Sequence, residues 1–162
     1  MNHITIDVEL DSIVKITESK ISEFHRVRKE VDSFRRVAKS LISKKVYQQC
    51  IDELRTVSQE LNASLNIFIA FYDRNIQYFT GNMREYLHAY KSYLECAVLA
   101  SKERLNIQNV IMQIKVHKNP EYKAKNVIYL MEEMDALQKD CLNKARSANE
   151  IVNKIKEERE KR

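Results

Sequence analysis

Residues 10–41 read LDSIVKITESKISEFHRVRKEVDSFRRVAKSL. Leu10, Thr17, Phe24, Val31 and Ala38 fall on one heptad position, and Ile13, Lys20, Val27, Phe34 and Leu41 fall on the other. Val14, Ile21 and Ile42 widen the stripe, and no glycine or proline interrupts it. A period of three and four residues places these side chains on one side of an α-helix, broad enough to meet more than one partner helix. At 1.5 Å per residue the segment spans about 50 Å.

The same reading extends along the chain. After Ser43 the phase shifts, and Tyr47, Cys50, Ile51, Leu54, Val57, Leu61, Leu65, Phe68 and Tyr72 form the next stripe. Thr80-Gly81-Asn82 follows, predicting Gly81 as the residue that closes the second helix, Asn82 as the N-cap of the third and Glu85 as its capping-box partner. A third stripe runs from Met83 through Leu87, Tyr90, Leu94, Val98 and Leu105 to Ile114, and His117-Lys118-Asn119-Pro120 breaks it. There Asn119 is the expected N-cap and Pro120 the expected first helical residue. The fourth stripe alternates Val127, Met134, Cys141, Ala148 and Ile155 with Leu130, Leu137, Lys144 and Ile151. The charged residues beyond Ile155 are expected to fray. The expected fold is therefore all-α: one domain, an elongated antiparallel bundle of about four long helices with coiled-coil-like heptads, over residues 7–42, 44–79, 82–117 and 120–158.

Composition supports this class. The 162 residues include one Gly and one Pro, where average usage gives roughly 11 and about 8. Sheets with tight turns and glycine-dependent nucleotide loops need positive-φ positions, so both are disfavoured. The longest apolar run, residues 67–72, is far short of the roughly 20 needed to cross a bilayer. The first ten residues lack a basic segment followed by an apolar one, so no signal peptide is expected. The chain is expected in the cytoplasm as synthesised, unless a leaderless route exports it. Cys50, Cys96 and Cys141 are odd in number and far apart, which predicts buried thiols and not a disulfide framework or zinc site.

No catalytic constellation emerges. His3, His25, His88 and His117 are too dispersed for a helical metal pair, and a single glycine excludes P-loop, GxGxxG and GxSxG motifs. No metal, cofactor or enzymatic activity is expected. The aromatic concentration over residues 68–93 has two readings. Phe68, Phe71, Tyr72, Tyr86, Tyr90 and Tyr93, with Ile67, form either core packing near the Gly81 turn or a partner-binding patch. A basic cluster (Arg26, Arg28, Lys29, Arg35, Arg36, Lys39, Lys44, Lys45) reads as a solvated face or as a contact for nucleic acid or an anionic membrane surface. Nucleic acid is the less expected partner, because no stacking aromatics interleave the cluster.

The first turn carries a resemblance. A long N-terminal helix ends in Leu41-Ile42-Ser43, followed by Lys44-Lys45-Val46-Tyr47-Gln48-Gln49-Cys50-Ile51-Asp52-Glu53-Leu54. Over about the first 80 residues this pattern resembles the LXG domain, a helical relative of the WXG-type small secreted proteins. Leu41 and Ser43 stand at the family's Leu-x-Gly turn, with serine in place of glycine. The resemblance implies export without a cleavable signal by the type VII (ESX) system, and pairing with small α-helical partner proteins that target the chain to that machinery. Self-association as a structural coiled coil is the other expectation from the heptads.

Overall fold

The computed structural model describes residues 3–37, 44–115 and 117–160. Four helices account for nearly all of them: α1 (His3–Val37), α2 (Lys44–Asn75), α3 (Gly81–Lys115) and α4 (Ala124–Glu160). The all-α reading is correct. The predicted turn at Leu41 and Ser43 lies outside the described residues.

Cross-helix pairs define the topology. Glu9 pairs with Arg74, Lys20 with Glu60 and Arg26 with Glu53, so α1 and α2 run antiparallel. Ser58 meets Ser101 at 2.8 Å and the Tyr47 hydroxyl donates to Gln108 at 2.7 Å, which sets α3 antiparallel to α2. Asn82 donates to Glu158 at 2.6 Å and Cys96 joins Cys141, which does the same for α4 on α3. Backbones pack closely from α1 to α2, α2 to α3 and α3 to α4.

The heptads explain what is buried. On α1, Leu10, Ile13, Thr17, Ile21, Phe24, Val27 and Val31 all turn inward. Thr17 is accommodated because its hydroxyl donates to the Ile13 carbonyl at 2.8 Å, so no polar group is stranded. Lys20, on an inward heptad position, lays its stem along the core and carries its ammonium out to Glu23 and Glu60. α2 contributes Ile51, Leu54, Val57, Leu61, Leu65, Phe68 and Phe71. α3 lies between α2 and α4 and buries residues toward both, which its broad apolar surface permits.

The joints differ from expectation in detail. α2 ends at Asn75, which is fully buried with its amide donating to the Phe71 carbonyl at 3.0 Å. A single 3₁₀ turn (Ile76–Tyr78) follows, closed by the Phe79 N–H on the Ile76 carbonyl. Gly81 opens α3 and does not close α2. Its φ of +55° is what demands glycine, since a Cβ there would meet nothing within 4 Å. Asn82 sits inside α3, and its side chain reaches Glu158 instead of serving as the expected cap.

At the next joint the chain takes a longer path than predicted. The end of α3 widens as His117 N–H reaches back to the Met112 carbonyl and Asn119 N–H to that of Gln113, with Lys118 at φ 51°. Pro120 belongs to a turn, not to the first position of α4. Asn119 Oδ1 accepts from Glu121 N–H at 3.1 Å, and the Tyr122 N–H closes on the Asn119 carbonyl. α4 starts at Ala124, where Asn126 Oδ1 accepts from the Lys123 N–H at 3.0 Å and its own N–H returns to the Lys123 carbonyl. This reciprocal pair does the work of a capping box with Lys123 in front of the helix. The charged end, expected to fray beyond Ile155, remains helical to Glu160.

The prediction of three buried thiols needs correction. Cys96 and Cys141 form a disulfide with Cα atoms 5.5 Å apart, and only Cys50 remains a free thiol among the described residues. The reason is topological. Both cysteines lie on facing stripes of two antiparallel helices, and the turn around Pro120 brings positions 45 apart in sequence level with each other. Burial raises the Cys50 thiol pKa, which keeps it protonated and unreactive.

Candidate interaction cleft

α4 rests on α3 and leaves a cleft between itself and α1. Three adjoining hollows trace it. The first is bounded by Ile21, Phe24 and Arg28 of α1, Tyr93, Ala97 and Ala100 of α3, and Met134 and Ala145 of α4, with Leu61 of α2 reaching the same space. The second shares Ile21, Tyr93 and Ala145 with it and adds Glu18, Tyr86, Tyr90, Ala148 and Val152. The third shares Tyr86 and Val152 with the second and continues to Leu10, Val14, Met83 and Ile155. The shared residues make these one continuous cleft. From Asp7 to Arg28 along α1 it is about 30 Å long.

Tyr86, Tyr90 and Tyr93 form its floor because i, i+4 and i+3 spacing puts them on one side of α3. Tyr86 stacks on Tyr90 with ring centroids 5.5 Å apart, Tyr93 follows at 6.2 Å, and Tyr90 meets Phe68 edge-on at 5.2 Å. The Tyr90 hydroxyl is buried with no hydrogen-bond partner among the described residues. Burial, reinforced by the Glu18 carboxylate on α1, raises the pKa of all three phenols, that of Tyr86 to about 12. Such phenols stay neutral and donate hydrogen bonds over the whole physiological range.

The sequence-predicted patch therefore divides. Phe68 and Phe71 are 0% and 1% exposed and belong to the core, where no partner reaches them. Tyr72 is held on a different side, with its hydroxyl against His88 and Lys91 Nζ 4.5 Å above its ring. Ile67 is exposed, outside the cleft. Only the three tyrosines line the cleft, and Tyr90, 3% exposed, also packs with Phe68 in the core below it.

The sequence reading placed Ala148 on the inward stripe of α4 but missed Ala145 and Val152, which complete the opposite wall. The signal was present: small residues on the inward stripe of α4 leave a gap where large ones would fill it.

The basic cluster is also dispersed. Arg26 pairs with Glu30 at 2.7 Å and Glu53 at 3.0 Å, while Arg28 turns into the cleft. The side chains of Arg35, Arg36, Lys39 and Lys44 lie outside the described residues. Beside Arg28, His25 has its pKa lowered by burial and by the neighbouring Arg28 and Lys29 charges. Among the described residues, no three metal-ligating side chains converge, and no helix is long and apolar enough to cross a membrane. Comparisons of the chain with protein-family models, with curated proteins and with solved structures find no match.

Proposed function

We propose that this chain is a non-catalytic helical interaction module that receives an amphipathic helix of a partner protein along the α1/α4 cleft. The observation that carries this reading is the open seam itself. An apolar strip about 30 Å long, floored by three tyrosines, matches the length of some twenty helical residues. Helix-in-groove recognition uses such a strip, with side chains at i, i+3, i+4 and i+7 as anchors. Tyrosine supplies contact area at low entropic cost.

In its narrower form the proposal is an LXG-like targeting region that pairs with small α-helical proteins and leaves the cell without a cleavable signal. The Cys96–Cys141 disulfide favours that form, because disulfides persist in oxidising compartments. A second reading, self-association, is favoured by the exposed apolar side chains Ile128, Tyr129 and Leu142 on α4.

The test is co-expression with any small helical proteins found encoded beside its gene. The expected result is a one-to-one complex by light scattering that Ala145→Arg abolishes and Ile67→Arg leaves intact. A monodisperse monomer that binds none of them overturns the proposal. A dimer of this chain alone, lost on Tyr129→Arg, selects the second reading.

A further inference from the structure

The Arg28 end of the cleft differs from the rest. It holds a partly open cavity of ≈ 210 Å³ walled mainly by Ile21, Phe24, Leu61, Ala97, Ala100 and Met134. No carboxylate lines it among the described residues, yet Arg28 stands at its edge with its Nε buried and without a hydrogen-bond partner. The acid one helical turn away, Asp32, is engaged by Arg104 of α3 and is not available to neutralise it. A buried guanidinium N–H left unpaired costs free energy until an anion supplies the acceptor. From this cavity the cleft continues past Tyr93 and Ala145 into a second hollow of ≈ 410 Å³, where the Tyr90 hydroxyl lacks a partner.

A partly open tunnel, lined by all four helices, mainly apolar at the Arg28 end and carrying one unpaired cation there, is shaped for a ligand of matching chemistry. A second protein helix, about 10 Å across, does not fit below the surface between Leu61 and Ala100. A single flexible chain does. We infer that this cavity is a binding site for a single-chain amphiphile with a carboxylate head, a fatty acid, its head on Arg28 and its chain running toward Tyr90.

The small residues are the specificity device, because Ala97, Ala100 and Ala145 hold open the volume that larger side chains would occupy. His25, beside Arg28, faces the same space and donates or accepts at the head group. The inference does not rest on helix docking, because it concerns the space under the seam and the chain without any partner protein.

Calorimetric titration of the purified chain with dodecanoate, below its micellar concentration, is the direct measurement, with dodecanol and dodecyltrimethylammonium as head-group controls. Dodecanoate is expected to bind one-to-one, and tighter than either control by about tenfold, the size of one charge-assisted hydrogen-bonded pair. Arg28→Met removes that preference while leaving the alcohol's affinity unchanged. Ala97→Leu and, separately, Ala145→Leu fill the tunnel and abolish binding of all three, with circular dichroism and melting temperature reporting that each variant is folded. Absence of saturable binding overturns the inference, as does equal affinity for the ammonium head or binding that survives both tunnel-filling variants. Failure of every helical partner to bind would leave these results unchanged, so the two proposals fail separately.

Discussion

α2 and α4 are both long amphipathic helices, of 32 and 37 residues, yet they are used in opposite ways. α2 is a strut, with Ile51, Leu54, Val57, Leu61 and Phe68 at 2% exposure or less, and with α1 on one side and α3 on the other. α4 is a shelf. Among its described residues only Met134 and Ala148 are buried, and it packs closely along α3 alone. Both carry good heptads, so the difference lies in how many neighbours each stripe finds. A stripe covered on both sides gives a core, and one covered on a single side gives a cleft. The candidate cleft is therefore built from incomplete burial, not from special residues.

Truncation of one inward side chain on each helix is the strongest way to break that comparison. Phe68→Ala on α2 removes a ring that is 0% exposed and packed against Tyr90, and is expected to cost about 3–5 kcal/mol. Leu137→Ala on α4 removes a half-buried side chain and is expected to cost about 1 kcal/mol, since only part of its area leaves water on folding. Urea denaturation of both variants measures the contrast. Equal losses would show that α4 is as integral to the core as α2.

The helices and their inward faces were legible because heptad periodicity is a local property. Leu10 to Val31 on α1 and Ile51 to Phe68 on α2 could be assigned from spacing alone, and Gly81 marked a joint because a positive φ selects glycine. The cleft was only half legible. Tyr86, Tyr90 and Tyr93 sit within eight residues of one another, so their shared face follows from helical geometry. Their partners Ile21 and Ala145 come from segments far away in sequence, and whether α4 closes over α1 depends on packing that no local pattern encodes. The Cys96–Cys141 pair was hidden for the same reason. Phe68 and Phe71 were placed with the cleft tyrosines because an apolar run looks alike whether a partner or α3 covers it.

The disulfide sharpens the comparison by asking what holds the shelf. It ties α4 to α3 across 45 residues of sequence, close to the middle of both helices. In the loop-entropy account such a cross-link contributes about 4 kcal/mol, and less where the open form retains structure. The double variant Cys96→Ala, Cys141→Ala is expected to lower stability by about 2–4 kcal/mol. Hydrogen exchange should quicken across α4 well before it does across α2, because α4 has one packed neighbour to hold it and α2 has two. Uniform acceleration through all four helices would mean that the bundle opens as one unit, and the strut-and-shelf distinction would fall.

The smallest expected effect tests the cleft floor directly. The chain has eight tyrosines, of which Tyr86, Tyr90 and Tyr93 have phenol pKa values raised mainly by burial and further by Glu18. A phenol whose pKa is higher folded than unfolded binds its proton more tightly in the native state. Its contribution is therefore fully present below the unfolded value of about 10 and is lost as pH rises through the folded value. Tyrosinate absorbance from these three rings should rise in a late stage toward pH 12 accompanied by loss of helix. Tyr86→Phe should reduce that late stage. A ligand seated on the cleft floor should delay the late stage further, since it excludes the water that a phenolate needs. If Tyr86, Tyr90 and Tyr93 ionise while the helices persist, the floor is wet, and the cleft is an open surface furrow without a buried floor.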